Sequence, residues 1–98
     1  MNSAIPVAVA HLNAPYGQIL TAEDLTAALR AGSFTKMAHP SGSDIAAAMF
    51  IELEPEQLLA CVNEVGGTLR GLQGLYEESL SRGLARVPGW EQTAEQLL

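Results

Sequence analysis

The sequence is poor in cysteine, aromatic residues and basic residues, and each shortage argues against a particular kind of structure or function. Cys61 is the only cysteine in 98 residues, which excludes an intrachain disulfide. Aromatic residues make up 5% of the chain, so a core has to be built from aliphatic and small side chains, which favours closely packed helices. Five Lys and Arg residues against 11 Asp and Glu give a formal net charge of −6. Direct nucleic-acid binding needs a basic surface, so we do not expect it.

Long apolar runs are also missing. A membrane-spanning helix needs about 20 consecutive apolar residues, and no segment approaches that length. The apolar run near the N-terminus has no basic residue before it, unlike a secretory signal peptide. We therefore expect a cytoplasmic protein without membrane contact. An apolar fraction of 48% over 98 residues indicates one folded domain over 1–98.

The N-terminal segment 1–20 is predicted to be an extended arm with a turn. From Ile5 to Leu12, β-branched and small apolar residues alternate, which is typical of a short strand. Pro6 cannot donate to a β ladder, so such a strand would begin there or lie at a sheet edge. No second strand pattern follows, so the arm stands alone or pairs with another chain.

A helix is predicted over 21–31. Thr21 is an N-cap candidate, and Asp24 occupies the third helical position of an acidic capping box. Leu20 and Leu25 occupy the two positions of a hydrophobic staple, and Gly32 suits the position after the helix. Three residues are expected to face the core: Leu25, Ala28 and Leu29.

Two further helical segments follow, the second of them long. Ser43 is a cap candidate for a helix over 43–53, and Pro55 suits the start of the next one. Helical spacing then continues over 55–86. Six apolar residues recur every three or four positions and form a coiled-coil-like seam: Leu58, Val62, Val65, Leu69, Leu72 and Tyr76. Two short helices are too little to cover this seam, so we predict a homodimer with the seam at its interface.

Four glycines lie between Asn63 and Leu80, in the middle of this long segment. On a helical wheel, three of them lie opposite the seam and form a small-residue face: Gly67, Gly71 and Gly74. Each glycine in a helix interior costs about 0.5–1 kcal/mol relative to alanine. Three interpretations stay open. The helix breaks at Gly66-Gly67, the face is exposed to solvent, or the face allows another helix to approach closely.

Candidate chemical groups are few. Cys61 with His11 or His39 as its base would be a nucleophile, but its apolar and acidic surroundings favour a buried structural role. Three carboxylates between Glu52 and Glu56 lack a calcium-binding loop pattern and suggest a solvated helix junction. We therefore expect no catalytic residue, no metal and no cofactor. Trp90 begins a last short helix over 90–98, where it either plugs the end of the bundle or anchors an interface.

The sequence thus predicts a mainly α domain of three to four helices. It would have a long C-terminal spine helix, intact or broken at Gly66-Gly67, and an extended or single-strand N-terminal arm. The favoured function is that of a small acidic regulatory protein, not an enzyme, that binds another protein. An inhibitor or antiactivator of a transcription regulator is the example we favour. Alternatives are a secretion-type chaperone, a permanent subunit or assembly factor, and a small enzyme using Cys61.

Overall fold

The computed structural model describes residues 3–38, 40–83, 90 and 92, and most of these residues are helical. Within them lie six α-helices in chain order: α1 (Ala4–Asn13), α2 (Ala22–Ala31), α3 (Pro40–Ala47), α4 (Met49–Glu52), α5 (Pro55–Val65) and α6 (Leu69–Ser81). A short 3-10 helix, Phe34–Lys36, follows α2. This part of the chain contains no β-strand. The prediction of a mainly α fold is confirmed.

The N-terminal segment is a helix, so the predicted extended or single-strand arm is wrong. The first N–H groups of a helix have no partner inside it. Pro6 has no N–H to satisfy, while Ala4 and Ile5 donate theirs to the Glu64 carboxylate at 2.9 and 3.0 Å. The missing N–H that argued against a central strand therefore suits the first turn of a helix equally well.

Helix α2 begins and ends at its capping residues. The Asp24 N–H donates to Thr21 Oγ1 at 3.1 Å, and Gly32 adopts the left-handed conformation at φ +68° after the last turn. Leu20 and Leu25, the two residues of the predicted staple, are both buried. Ala28 and Leu29 are buried as well, so the core-facing side of α2 is the one predicted.

The segment predicted as one helix over 43–53 is two helices. α3 begins three residues before Ser43, at Pro40, a residue type that suits a first helical position. Ala48 separates α3 from α4, and its N–H is shared between the carbonyls of Asp44 and Ile45 at 3.3 and 3.0 Å. Sharing of this kind tightens the last turn of a helix.

The long segment breaks at Gly66-Gly67, one of the predicted alternatives. Gly66 ends α5 in the left-handed conformation at φ +72°, which favours glycine. The side chain of Arg30 stabilises this end, because its Nε–H donates to the Val65 carbonyl at 2.8 Å. Thr68 then caps α6 by accepting the Gly71 N–H at 2.9 Å. α6 ends at Ser81, and residues 84–86 of the predicted segment lie outside the described residues.

Candidate functional site

The apolar seam predicted as a dimer interface lies inside the chain's own core. Leu69 is half-buried, and the other five seam residues are buried: Leu58, Val62, Val65, Leu72 and Tyr76. Helix α1 packs against α5. It thereby covers part of the seam, a role that was predicted for a second copy of the chain. A dimer through this seam would require the core to open. The homodimer stays a prediction, but this seam is not a surface that can form it in this fold.

The three glycines of the small-residue face lie against the C-terminal end of α2. A Cβ added at Gly67 would lie 2.9 Å from the Leu29 carbonyl oxygen, and one added at Gly74 would lie 3.4 Å from that of Gly32. A Cβ on Gly32 would in turn lie 2.9 Å from the Gly71 Cα. At Gly67 and Gly32, backbone therefore meets backbone too closely for a side chain, whereas the contact at Gly74 has an ordinary length. The structure combines the helix break with close packing, and the face is used within the chain.

Trp90 lies in the core. It is 4% exposed, and its ring centroid lies 4.8 Å from that of Phe50 and 5.0 Å from that of Tyr76. The planes of Phe50 and Trp90 meet at 73°, an edge-to-face geometry that aromatic pairs prefer. Of the two roles predicted for Trp90, the structure shows packing inside the helical bundle and not exposure as an interface anchor. Residues 91 and 93–98 of the predicted last helix lie outside the described residues.

Cys61 is not set up as a nucleophile. Its Sγ–H points to the Ala4 carbonyl at 3.6 Å. Burial, and secondarily the charge of Glu64, raises the pKa of Cys61 to about 11, so its thiol is protonated at neutral pH. His11 is exposed on α1, and His39 lies outside the described residues.

The carboxylates around Pro55 form a helix junction. Glu54 precedes α5, and its N–H donates to the Gln57 side-chain oxygen at 3.1 Å. Glu56 lies exposed in the first turn of α5, where a negative charge is favourable. Across the described part of the chain, no three or more His, Cys, Asp or Glu side chains form a group able to hold a metal ion.

Helix α1 carries apolar residues on its exposed side as well as on its buried side. Its inner side buries three core residues: Ile5, Ala8 and Leu12. Its outer side exposes Pro6, Val7 and Ala10, and Ala14 is exposed directly after its last residue; we call these four residues the outer face of α1. His11, one turn after Val7, is the exposed polar residue of α1. Val7 is 56% exposed, and α1 contains no Asp, Glu, Lys or Arg. Surface helices normally carry polar residues on the side facing water, so the outer face of α1 is unusual.

Two grooves flank this outer face. The first, of about 300 Å³, lies between α1 and α5, where Ala4 and Val7 stand opposite Ala60. Glu56 and Gln57 also line it. The second groove, of about 620 Å³, lies on the other side of α1, where α1 residues face the turn before α2. Helices pack on each other by fitting the ridges of one helix into the grooves of the other. An apolar ridge between two grooves is therefore a surface on which a helix can pack.

Glu64 fixes α1 against α5 and so positions the first groove. Its carboxylate accepts the Ser3 hydroxyl at 2.6 Å in addition to the N–H groups of Ala4 and Ile5. These hydrogen bonds, the one from Ser3 first, lower the pKa of Glu64 below its usual value. No local sequence signal indicates this role, because Ala4 and Glu64 are 60 residues apart and only the fold brings them together.

A second surface carries the other two large apolar residues that are exposed in the described part of the chain, Tyr16 at 49% and Ile51 at 56%. They flank a groove of about 350 Å³ that Asp44 and Arg82 also line. Arg82 forms an ion pair at 3.4 Å with Glu78, one turn earlier at the C-terminal end of α6. This surface therefore mixes charges of both signs with apolar groups, unlike the outer face of α1.

Comparisons with known proteins leave the function to be inferred from these surfaces. No family model matches the chain, and no curated protein or solved structure does. Within the described ranges, none of the helices combines the length and the hydropathy that crossing a bilayer requires.

Proposed function

We propose that this chain is a small protein-binding protein whose partner contacts the outer face of α1. The observation that carries the proposal is Val7, which is 56% exposed in a helix that has no Asp, Glu, Lys or Arg. Contiguous exposed apolar surface on a soluble protein is typical of an interaction site. With Pro6 and Ala10 exposed beside it, Val7 forms the centre of such a surface.

The ridge at Val7 and the groove beside it form a surface on which a partner helix can pack. A helix laid along the groove between α1 and α5 would contact Val7 on one side and Ala60 on the other. Complete burial of a valine side chain is worth about 1.5–3 kcal/mol. Val7 is 56% exposed, so covering the rest of it is worth about half of that, or roughly four- to twentyfold in affinity. Small residues at Ala4 and Ala60 let the partner backbone come close, so Val7 would supply most of the apolar contact.

The size of the outer face supports a reversible, regulatory interaction. Helix α1 has 10 residues. At 1.5 Å per residue it is about 15 Å long. Permanent subunits bury about 2,000 Å² or more in their interfaces, which a face of this length cannot supply alone. A protein that occludes a surface of its partner, as an inhibitor or antiactivator of a transcription regulator does, fits this size better than a permanent subunit.

The experiment that tests the proposal compares two equally exposed residues. Val7→Ser removes the centre of the outer face, whereas Ile51→Ser removes an apolar side chain of identical exposure on the other surface. We expect affinity purification from the native cells to recover a stoichiometric partner with the wild type and with Ile51→Ser. Recovery should fall about tenfold with Val7→Ser, as expected for the loss of about 1.4 kcal/mol of binding free energy.

Two results would overturn this proposal. One is equal recovery of the partner with Val7→Ser and with the wild type, and the other is the absence of any stoichiometric partner. Thermal unfolding of both variants provides the folding control. Because both side chains are exposed, both variants should unfold close to the wild type.

A further inference from the structure

We infer that the segment bound by this protein is a basic amphipathic helix, which docks in the groove between α1 and α5. This inference rests on the proposed binding role of the outer face of α1 and names its occupant. The apolar part of the groove lining, which we call its floor, consists of Ala4, Val7 and Ala60. Ser3, Gln57 and Glu56 line the groove as well.

Among the described residues that line the groove, Glu56 is the charged one. Arg30 lies at the opposite end of α5, where its side chain donates to the Val65 carbonyl. Neither α1 nor α5 contains a Lys or Arg, while α5 contains Glu56 and Glu64. Glu56 is exposed at the groove, and Glu64 lies at the N-terminal end of α1. Glu54, directly before α5, is exposed as well. An apolar floor with an acidic border selects a helix that has an apolar stripe with Lys or Arg on its flanks.

Lysine and arginine suit this border for a second reason. Their aliphatic stems can lie along apolar surface while the charged ends reach water, so they extend the contact over Ala60 toward the Glu56 carboxylate. The chain as a whole carries a net charge of −6, which would accelerate the approach of a basic segment at low salt.

The same charges argue against a second copy of this chain as the occupant. A second copy brings its own charge of −6 and its own acidic border at Glu56 and Glu64. Like charges placed opposite each other across an interface weaken the complex. A helix is also a better fit than an added strand, because the described residues contain no sheet edge to extend.

The inference can be tested with three synthetic helical peptides of equal length. The first has Leu and Ala on one face and Lys on the other. The second replaces each Lys by Glu, and the third keeps the Lys residues but replaces each Leu by Ser. Titration into the isotope-labelled full chain, followed by NMR, gives both the affinity and the location of each peptide.

We expect the Lys–Leu peptide to bind about tenfold or more tightly than either of the other two. Its largest shift changes should lie on α1 and α5, around Val7 and Ala60. Val7→Ser should weaken it about tenfold, and Glu56→Gln about threefold at low salt, with the loss shrinking as salt is added. Ile51→Ser and Glu77→Gln, equally surface-exposed controls on other helices, should change the affinity less than twofold.

Several results would overturn the inference. Equal binding of the Lys–Ser peptide would show general attraction to a negative protein. Shift changes centred on Ile51 would place the site on the other surface. Self-association of the free chain that Val7→Ser abolishes would make a second copy the occupant. Equal binding of the Glu–Leu peptide on α1 and α5 would remove the basic partner but leave the proposed function standing, since that function depends on the purification with Val7→Ser.

Discussion

A few polar side chains determine how the helices of this small domain meet. Asn13 is the clearest case, because its buried side chain donates to the Leu20 carbonyl at 2.8 Å and accepts the Leu20 N–H at 3.1 Å. It thereby closes the turn between α1 and α2. Asp24 accepts the Ala38 N–H at 3.2 Å, and Glu78 accepts the Phe34 N–H at 3.2 Å. Each of these side chains holds a connecting segment onto a helix.

Glu64 makes the position of α1 dependent on pH. The pKa of Glu64 is lowered in the folded chain by Ser3, Ala4 and Ile5, so folding favours its ionised form. The resulting stabilisation is fully present above the unfolded pKa of about 4.5 and is lost as the pH falls through the lower folded pKa.

We therefore expect Glu64→Gln to lower the thermal midpoint at neutral pH. The difference from the wild type should shrink as the pH falls below the unfolded pKa of Glu64. Thermal unfolding of both proteins across the acidic range measures this. Glu77→Gln, which removes an exposed carboxylate from α6, is the control and should follow the wild type. A difference between Glu64→Gln and the wild type that stays constant down to strongly acidic pH would contradict the proposed cap.

At the residue scale, the sequence predicted a residue's role correctly where that role depends only on its neighbours along the chain. Thr21, Asp24 and Gly32 lie within one helix and its borders, and the short-range geometry of a helix end fixes their roles. The role of Glu64 has no such signal, since a carboxylate that caps a distant helix looks like any exposed carboxylate in the sequence.

At the scale of the element, α1 was mispredicted because its exposed face is mostly apolar, like its buried face. The helical period in a sequence comes from the contrast between a buried face and a polar face. α1 lacks that contrast, and the alternation of Ile5, Val7 and Val9 with smaller residues then resembles a strand. The apolar character of its exposed face obscured the helical pattern of α1, and the same character makes that face the candidate binding surface.

The packing of α6 on α2 gives opposite expectations for two glycines. Gly67→Ala places a Cβ 2.9 Å from the Leu29 carbonyl oxygen, and backbone has to move to relieve that contact. We expect it to lower the free energy of unfolding by about 1–3 kcal/mol, as overpacking does. Gly74→Ala meets the Gly32 carbonyl at 3.4 Å, an ordinary contact. Its better helix propensity should raise stability by up to about 1 kcal/mol.

Urea unfolding of the two variants beside the wild type measures both effects. Gly74→Ala is the matched control for Gly67→Ala, because the same methyl group is added on the same face of the molecule. A stabilising Gly67→Ala, or equal effects of the two substitutions, would contradict the close approach of α2 to this face.

At the scale of the molecule, α1 connects the core to the surface. Its inner side covers the α5 part of the seam, with Ile5, Ala8 and Leu12 buried, and its outer side meets water. The sequence indicated that other residues must pack over the seam, but it did not show that α1 supplies them. It therefore suggested that a second copy of the chain packs there. The same shortage of polar residues in the first segment explains both the missed helix and the exposed face.

The central claim is that a partner binds the outer face of α1, and site-specific photo-crosslinking in the native cells tests it most directly. A photoreactive phenylalanine analogue replaces Val7 in one variant and Ile51, of equal exposure, in the other. We expect the Val7 variant to form a crosslink to a different protein and the Ile51 variant to form none with it. Crosslinking of that protein from both positions, from Ile51 alone or from neither position would contradict the claim.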